Sequence, residues 1–412
     1  MSILPGNISR RSFLKASAAA GAGAAAVTIL SSCSGNQDTA ASSPVVVDSG
    51  TATFVVGSGD IQGSYEQASS DNGGTTDLAS AGTWSLPLGC VLRPSEGALK
   101  PYVVPSDTPS AMTSAGVFSV TSGGNVVLVK AAQTGGNYVV YDAACSDSVY
   151  AWSELDLVTR EWKLYAAALS NGALGTVSTL WSADSNYDPP LMCCSGNSVI
   201  WLVMPSTSGS RTTENSSCYL WQVGSTSADE VVRSPGRFGC GPTVSDGNVT
   251  LVPRVRANEG RYFGITAYSL DSGMSSQVAQ LVLPQAVAPM RAVYMGGLFA
   301  FSIEANYGTG GLLGNMGTYL GSGDGQFVAL PREPAADVAG KDGVFLIKTR
   351  ASHLIVDTNA KTYATLVAPN RALDYGDYPA SMGTTSSFVT FATVKDQDTG
   401  YPSSVEVRAW TL

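Results

Sequence analysis

The stretch Pro242-Thr243-Val244-Ser245-Asp246-Gly247-Asn248-Val249-Thr250-Leu251 reads as two short strands joined by a tight turn. Apolar and small polar residues alternate on either side, and Asp-Gly-Asn supplies the residue types that tolerate the positive φ of a hairpin turn. Outward from this stretch the same unit recurs. Apolar runs at residues 99–104, 149–152, 199–203, 249–252, 298–301, 344–347 and 388–391 start 50, 50, 50, 49, 46 and 44 residues apart. Most follow a small turn: Asp147-Ser148, Gly196-Asn197-Ser198, Gly296-Gly297, Asp342-Gly343. A short segment precedes the turn, as in Pro190-Leu191-Met192-Cys193, and two more follow the central run, as at 262–268 and 277–282. The one helical candidate, 155–169, reads better as two strands across Thr159-Arg160-Glu161.

Four short strands every 45–50 residues is the size of a propeller blade. The expected fold is all-β: a single β-propeller of seven four-stranded blades, with six or eight also compatible because the spacing shrinks toward the C-terminus. A pair of β-sandwich domains would explain the alternation but not the near-constant spacing. The pattern over 242–249 resembles the inner-strand turn of TolB-type and related WD40-like propellers, although the Gly-His and Trp-Asp marks of WD40 repeats are absent. The C-terminal run Ser404-Val405-Glu406-Val407-Arg408-Ala409-Trp410-Thr411-Leu412 fits the third strand of the last blade. An N-terminal strand, either Thr83-Trp84-Ser85-Leu86 or an island around Phe54, is expected to cover the edge left open there and close the ring.

The N-terminus carries an address. Ser9-Arg10-Arg11-Ser12-Phe13-Leu14-Lys15 precedes an Ala/Gly-rich run and Leu30-Ser31-Ser32-Cys33. The first element resembles a twin-arginine export signal, and the last resembles a lipoprotein processing box with Cys33 as the lipidated residue. The expected organisation is a signal peptide over 1–32, then lipidated Cys33 and a flexible Ser/Gly/Thr-rich linker over 33–80 holding at most one strand, then the propeller over 81–412. The resemblance implies a bacterial extracytoplasmic lipoprotein that reaches the bilayer only through Cys33.

Removing 1–32 takes away Arg10, Arg11 and Lys15 and leaves 20 basic against 32 acidic residues, a net charge of -12. That balance excludes a nucleic-acid partner and a polybasic membrane patch. No cofactor or metal is expected, and the chain is expected to be a monomer. Six cysteines remain after Cys33, namely Cys90, Cys145, Cys193, Cys194, Cys218 and Cys240, and an even number in an oxidising compartment permits up to three disulfides.

Candidate ligand-binding residues lie on or just before the first strand of each repeat: Arg93, Asp142, Asp188, Arg237, Arg291, Asp337, Arg371, Asp374 and Asp377. If they converge on a channel they would bind a polar ligand, and neighbouring carboxylates would serve a carbohydrate hydrolase or lyase, which needs two such groups. Two loops are long enough for binding, 205–217 and 304–325, the second offering Tyr307 and Tyr319. Asp396-Gln397-Asp398-Thr399-Gly400 is a fragment of a calcium loop placed where a plain hairpin turn is expected. The seven tryptophans are read as packing between blades, and secondly as sugar-stacking platforms. His353 reads as structural, and no catalytic motif is recognisable. The expected function is therefore binding of a protein, peptide or glycan, with a carbohydrate hydrolase or lyase as the alternative.

Overall fold

The computed structural model describes residues 43–44, 52–57, 61–105, 112–208, 214–303, 316–323, 325–331, 337–350, 352–371 and 376–412. Among the described residues there is no helix, and the strands form seven sheets. The hairpin at Asp246 shows how local chemistry sets the repeat. Asp246 and Gly247 take φ of 53° and 70°, and Thr243–Ser245 pairs antiparallel with Asn248–Leu251. A two-residue turn of this hand matches the twist of the strands it joins. Gly296-Gly297 and Asp342-Gly343 repeat it, with φ of 54° and 82°, and 51° and 87°.

In every sheet the expected apolar run is the second strand: Leu99–Pro105, Val149–Asp156, Ser198–Val203, Asn248–Leu251, Leu298–Ile303, Val344–Lys348 and Ser387–Lys395. We number the sheets one to seven in that order. These strands are apolar throughout because both faces are covered. Val199, Trp201 and Val203 pack with Val149, Leu155 and Trp162 of sheet two, while Ile200 and Leu202 pack with Val244 and Val249 of sheet four. Successive residues of a strand point to opposite faces, so a strand between two sheets needs an unbroken apolar run.

The described residues hold seven such clusters, each joining two consecutive sheets. The cluster of Leu92, Tyr102 and Phe118 with Val389, Val405 and Val407 joins sheet one to sheet seven and closes the cycle. Two sandwiches would give two separate cores. A closed cycle of sheets is a single β-propeller.

Three N-terminal strands lie on outer sheet edges. Ala79–Pro87 pairs antiparallel with Pro402–Thr411 and completes sheet seven, closing the ring as expected. Ala52–Phe54 pairs in parallel with Phe327–Pro331 of sheet five. Glu66–Gln67 pairs in parallel with Thr362–Leu366 of sheet six. The segment expected as a linker thus adds two strands to the propeller. Unpaired backbone groups on an outer edge recruit a passing chain whatever its side chains, which is why the polar pair Glu66-Gln67 carries no strand pattern.

At the turn end of the first strands, sheets that are not neighbours touch across the axis. Thr384 donates from Oγ1 to Asp246 Oδ2 at 2.6 Å and from its N–H to Ser245 Oγ at 2.9 Å, linking Gly383–Thr384, which pairs with Ala339–Lys341 of sheet six, to sheet four. Ser195 Oγ of sheet three donates to Glu96 Oε2 beside sheet one at 2.9 Å. Gly383 has φ 68°, and a Cβ there would lie 2.5 Å from that of Ser245. Contacts across the axis thus gather at this end of the sheets.

Candidate functional site

The charged residues expected along the axis pair with one another. Arg93 Nε lies 2.7 Å from Asp142 Oδ1, joining sheets one and two. Arg237 Nη1 lies 2.8 Å from Asp188 Oδ2, joining sheets three and four, and also donates to the Pro205 carbonyl. Arg291 Nε lies 3.6 Å from Asp337 Oδ2, joining sheets five and six. Burial pushes the Asp337 carboxyl up, and Arg291 opposes that shift. These pairs are clasps between sheets. With one or both partners partly exposed, each contributes roughly 0.2–1 kcal/mol.

Asp377 belongs to a buried cluster between sheets six and seven. Arg408 Nη2 donates to its Oδ2 at 3.2 Å, and His353 Nδ1 lies 3.3 Å from the same oxygen. The side chains of His353 and Asp377 are both 0% exposed. Phe388 meets the imidazole edge to face at 5.3 Å, and Arg408 lies 4.8 Å over the Trp410 ring. Burial lowers the His353 pKa and favours the neutral ring. Burial alone would raise the Asp377 pKa, but His353, Arg408 and Lys348 outweigh it and hold the carboxyl below its ordinary value.

Of the remaining candidates, Arg371 and Tyr319 are among the described residues. Arg371 forms an isolated bridge with Val394 in sheet seven. Tyr319 is 3% exposed and stacks on Phe301 at 5.6 Å, so it is core and not part of a binding loop. Asp374, Tyr307 and Cys33 lie outside the described residues. Asp396 Oδ1 accepts from the N–H groups of Asp398 and Thr399 and from Thr399 Oγ1, an ordinary turn. The six cysteines are buried and unpaired, and burial raises the Cys90 and Cys240 thiols to about 12.

A groove of about 560 Å³ lies where sheets two and three meet. Its lining comes from five strand ends, one of them the start of Ser216–Gln222, the third strand of sheet three. Tyr138 begins the first strand of sheet two, Trp162 begins the third, Ala183 ends the fourth, and Val203 ends the second strand of sheet three. In an antiparallel order these ends share one face, opposite the turns at Asp147-Ser148 and Gly196-Asn197. That is the face away from the cross-axis contacts at the turn end.

Partly exposed rings dominate the groove. Trp181 and Tyr219 lie 4.4 Å apart at 42°, and Tyr219 stacks on buried Trp201 at 5.6 Å, which fixes its plane. Trp162 Nε1 donates to the Tyr187 carbonyl at 3.1 Å and holds the loop that carries Tyr187. Polar groups stand between the rings. Tyr138 donates to Glu161 Oε2 at 3.3 Å, and Lys163 Nζ lies 5.5 Å over the Tyr138 ring. Asp184 accepts from Asn186 N and Nδ2, and Ser217 Oγ donates to Glu230 Oε1 at 3.0 Å. Burial and the nearby carboxylates Glu161 and Glu230 raise the Tyr138 and Tyr219 phenols, so both remain donors at neutral pH. Asn215, at the end of the polar 205–217 loop, also lines the groove. Sequence reasoning reached that loop and the tryptophans but not the groove. The available signal was a set of aromatics at strand ends: Tyr138, Trp181, Tyr187 and Tyr219.

Residues 7–27 match the family model of the TAT (twin-arginine translocation) pathway signal sequence. The chain carries a twin-arginine signal. It is exported by that route to the extracytoplasmic side. Among solved structures, the β-propeller domain of the trilobed protease from Pyrococcus furiosus is similar at 11% identity and TM-score 0.48, over 79% of this chain and 95% of that one. An acylaminoacyl peptidase of Pyrococcus horikoshii is similar at 8% identity and TM-score 0.47, over 80% of this chain and 52% of the peptidase, so the chain spans about half that enzyme's length. An oligogalacturonate lyase from Vibrio parahaemolyticus is similar at 8% identity and TM-score 0.43, over 81% and 98% of the two chains. A search of curated proteins by sequence found no match.

Proposed function

We propose that the exported chain is an extracytoplasmic binding protein, anchored by lipid on Cys33, whose groove between sheets two and three holds a glycan. The observation that carries this reading is the groove itself: ring faces at Trp181, Tyr219, Tyr138 and Tyr187, with carboxylate, amide and hydroxyl groups set between them. A sugar ring has apolar C–H faces and a polar rim, and that lining offers a partner to each. The volume, about 560 Å³, falls in the range of small-ligand sites, roughly 300–1,000 Å³. The hydrolase or lyase reading relied on five axial carboxylates; four of them, Asp142, Asp188, Asp337 and Asp377, have arginine partners, and Asp374 lies outside the described residues.

The test is titration of the exported, purified chain with a panel of soluble oligosaccharides, followed by intrinsic tryptophan fluorescence. Saturable binding that Trp181→Ala weakens supports the reading. Binding that is unchanged in Trp181→Ala, or turnover of a bound oligosaccharide that stops in Asp188→Asn, overturns it.

A further inference from the structure

We infer that the groove selects a glycan bearing free amines over one bearing uronate groups; this rests on the glycan-binding reading above. Among the described residues lining the groove, the fixed charges are two carboxylates, Glu161 and Asp184, and one ammonium, Lys163. The position of Lys163 shows what the site does with a cation. Its ammonium lies 5.5 Å over the Tyr138 ring, and the Tyr138 hydroxyl is hydrogen-bonded to Glu161. Ring face and carboxylate thus meet at one place, the arrangement that attracts an ammonium by its charge and by the negative face of the aromatic system.

Trp181 of sheet two and Tyr219 of sheet three pack on one another across the groove that Asp184 also lines. An aminated sugar stacked there would bring its ammonium toward a carboxylate. A uronate would bring a carboxylate toward one. The field of the whole molecule acts in the same direction: the exported chain has a net charge of -12, which attracts a polycation and repels a polyanion.

The experiment is calorimetric titration of the exported, purified chain at mildly acidic pH with four oligomers of equal length: glucosamine, N-acetylglucosamine, glucose and galacturonate. The glucosamine oligomer should bind most tightly, the two neutral ones more weakly, and the uronate least. Each exposed carboxylate is worth roughly 0.2–1 kcal/mol to a facing ammonium, which corresponds to up to about fivefold. Glu161→Gln with Asp184→Asn should therefore cost the glucosamine oligomer roughly twofold to thirtyfold more than it costs the N-acetylated oligomer. Added salt should reduce the preference in the unmodified chain and have little effect in the double variant. Equal affinity for aminated and neutral oligomers, or tighter uronate binding, overturns the charge selection and leaves glycan binding standing. Failure of all four oligomers to bind overturns both.

Discussion

Removing the charge of Asp377 tests whether the axial carboxylates are clasps or ligand groups. The perturbation is Asp377→Asn. In the native protein Asp377 is fully buried, accepts from Arg408 Nη2 at 3.2 Å, and lies 3.3 Å from His353. The Asn variant keeps the shape but removes the buried counter-charge of Arg408, whose side chain is 14% exposed, and leaves it only the more distant Glu406, 3.9 Å from its Nε. Breaking a buried pair from one side costs about 3–5 kcal/mol, because the surviving charge stays desolvated. Unfolding entropy near 2.1 cal/mol/K per residue, over a propeller of this length, converts that to a drop of roughly 4–6 °C in Tm. The assay is thermal unfolding followed by circular dichroism. pH dependence adds a second readout. Asp377 is held below its ordinary pKa, so its contribution is present above the unfolded carboxylate value and is lost as pH falls through the folded one. His353 is also lowered, so the unfolded chain binds its proton first and stability falls as pH drops below about 6.5. Both groups make the native protein acid-sensitive, and Asp377→Asn should flatten the steeper, more acidic part of the curve. A variant with unchanged Tm and an unchanged acid limb would refute the assignment of Asp377 to the clasp.

Other outcomes follow from the same structure. Trp181→Ala should weaken oligosaccharide binding by about 1–2 kcal/mol, roughly fivefold to thirtyfold, as loss of an aromatic anchor does; a shift below twofold would remove Trp181 from the site. The six buried thiols should resist a water-soluble thiol reagent in the native protein and all react after denaturation, because burial raises their pKa values and blocks access. Rapid native labelling of Cys90 would contradict that burial. Cys33→Ser should release the exported protein from membranes into the soluble extracytoplasmic fraction, and a variant still pelleting with membranes would contradict the lipid anchor.

Much of the fold was legible because it is encoded locally. The run Val199-Ile200-Trp201-Leu202-Val203 is apolar on both faces because sheets pack on both sides of it, and Asp246-Gly247 sets its hairpin through two positive φ values. Thr83-Trp84-Ser85-Leu86 was one of two segments expected as the closing strand, with the Phe54 island the other; it pairs with residues 404–411, and Ala52–Phe54 pairs with sheet five. Glu66-Gln67 was not legible, since its pairing is backbone recruitment by an outer edge and asks nothing of its side chains. The charged series along the axis was legible as a set of residues but not as a set of partners. Arg93 and Asp142 are 49 positions apart, and only the ring brings them to 2.7 Å. The groove was hidden for a similar reason: Tyr138, Trp181, Tyr187 and Tyr219 each follow their own strand or loop, and their convergence depends on how two sheets end on one face.

The most direct test of the central claim is a crystal structure of the exported chain grown with the oligosaccharide that binds best. Sugar density stacked on Trp181 and Tyr219, within reach of Glu161 and Asp184, is the predicted result. Density lodged instead on the axis among Arg93, Asp142, Asp188 and Arg237, with the groove between sheets two and three empty, would contradict it.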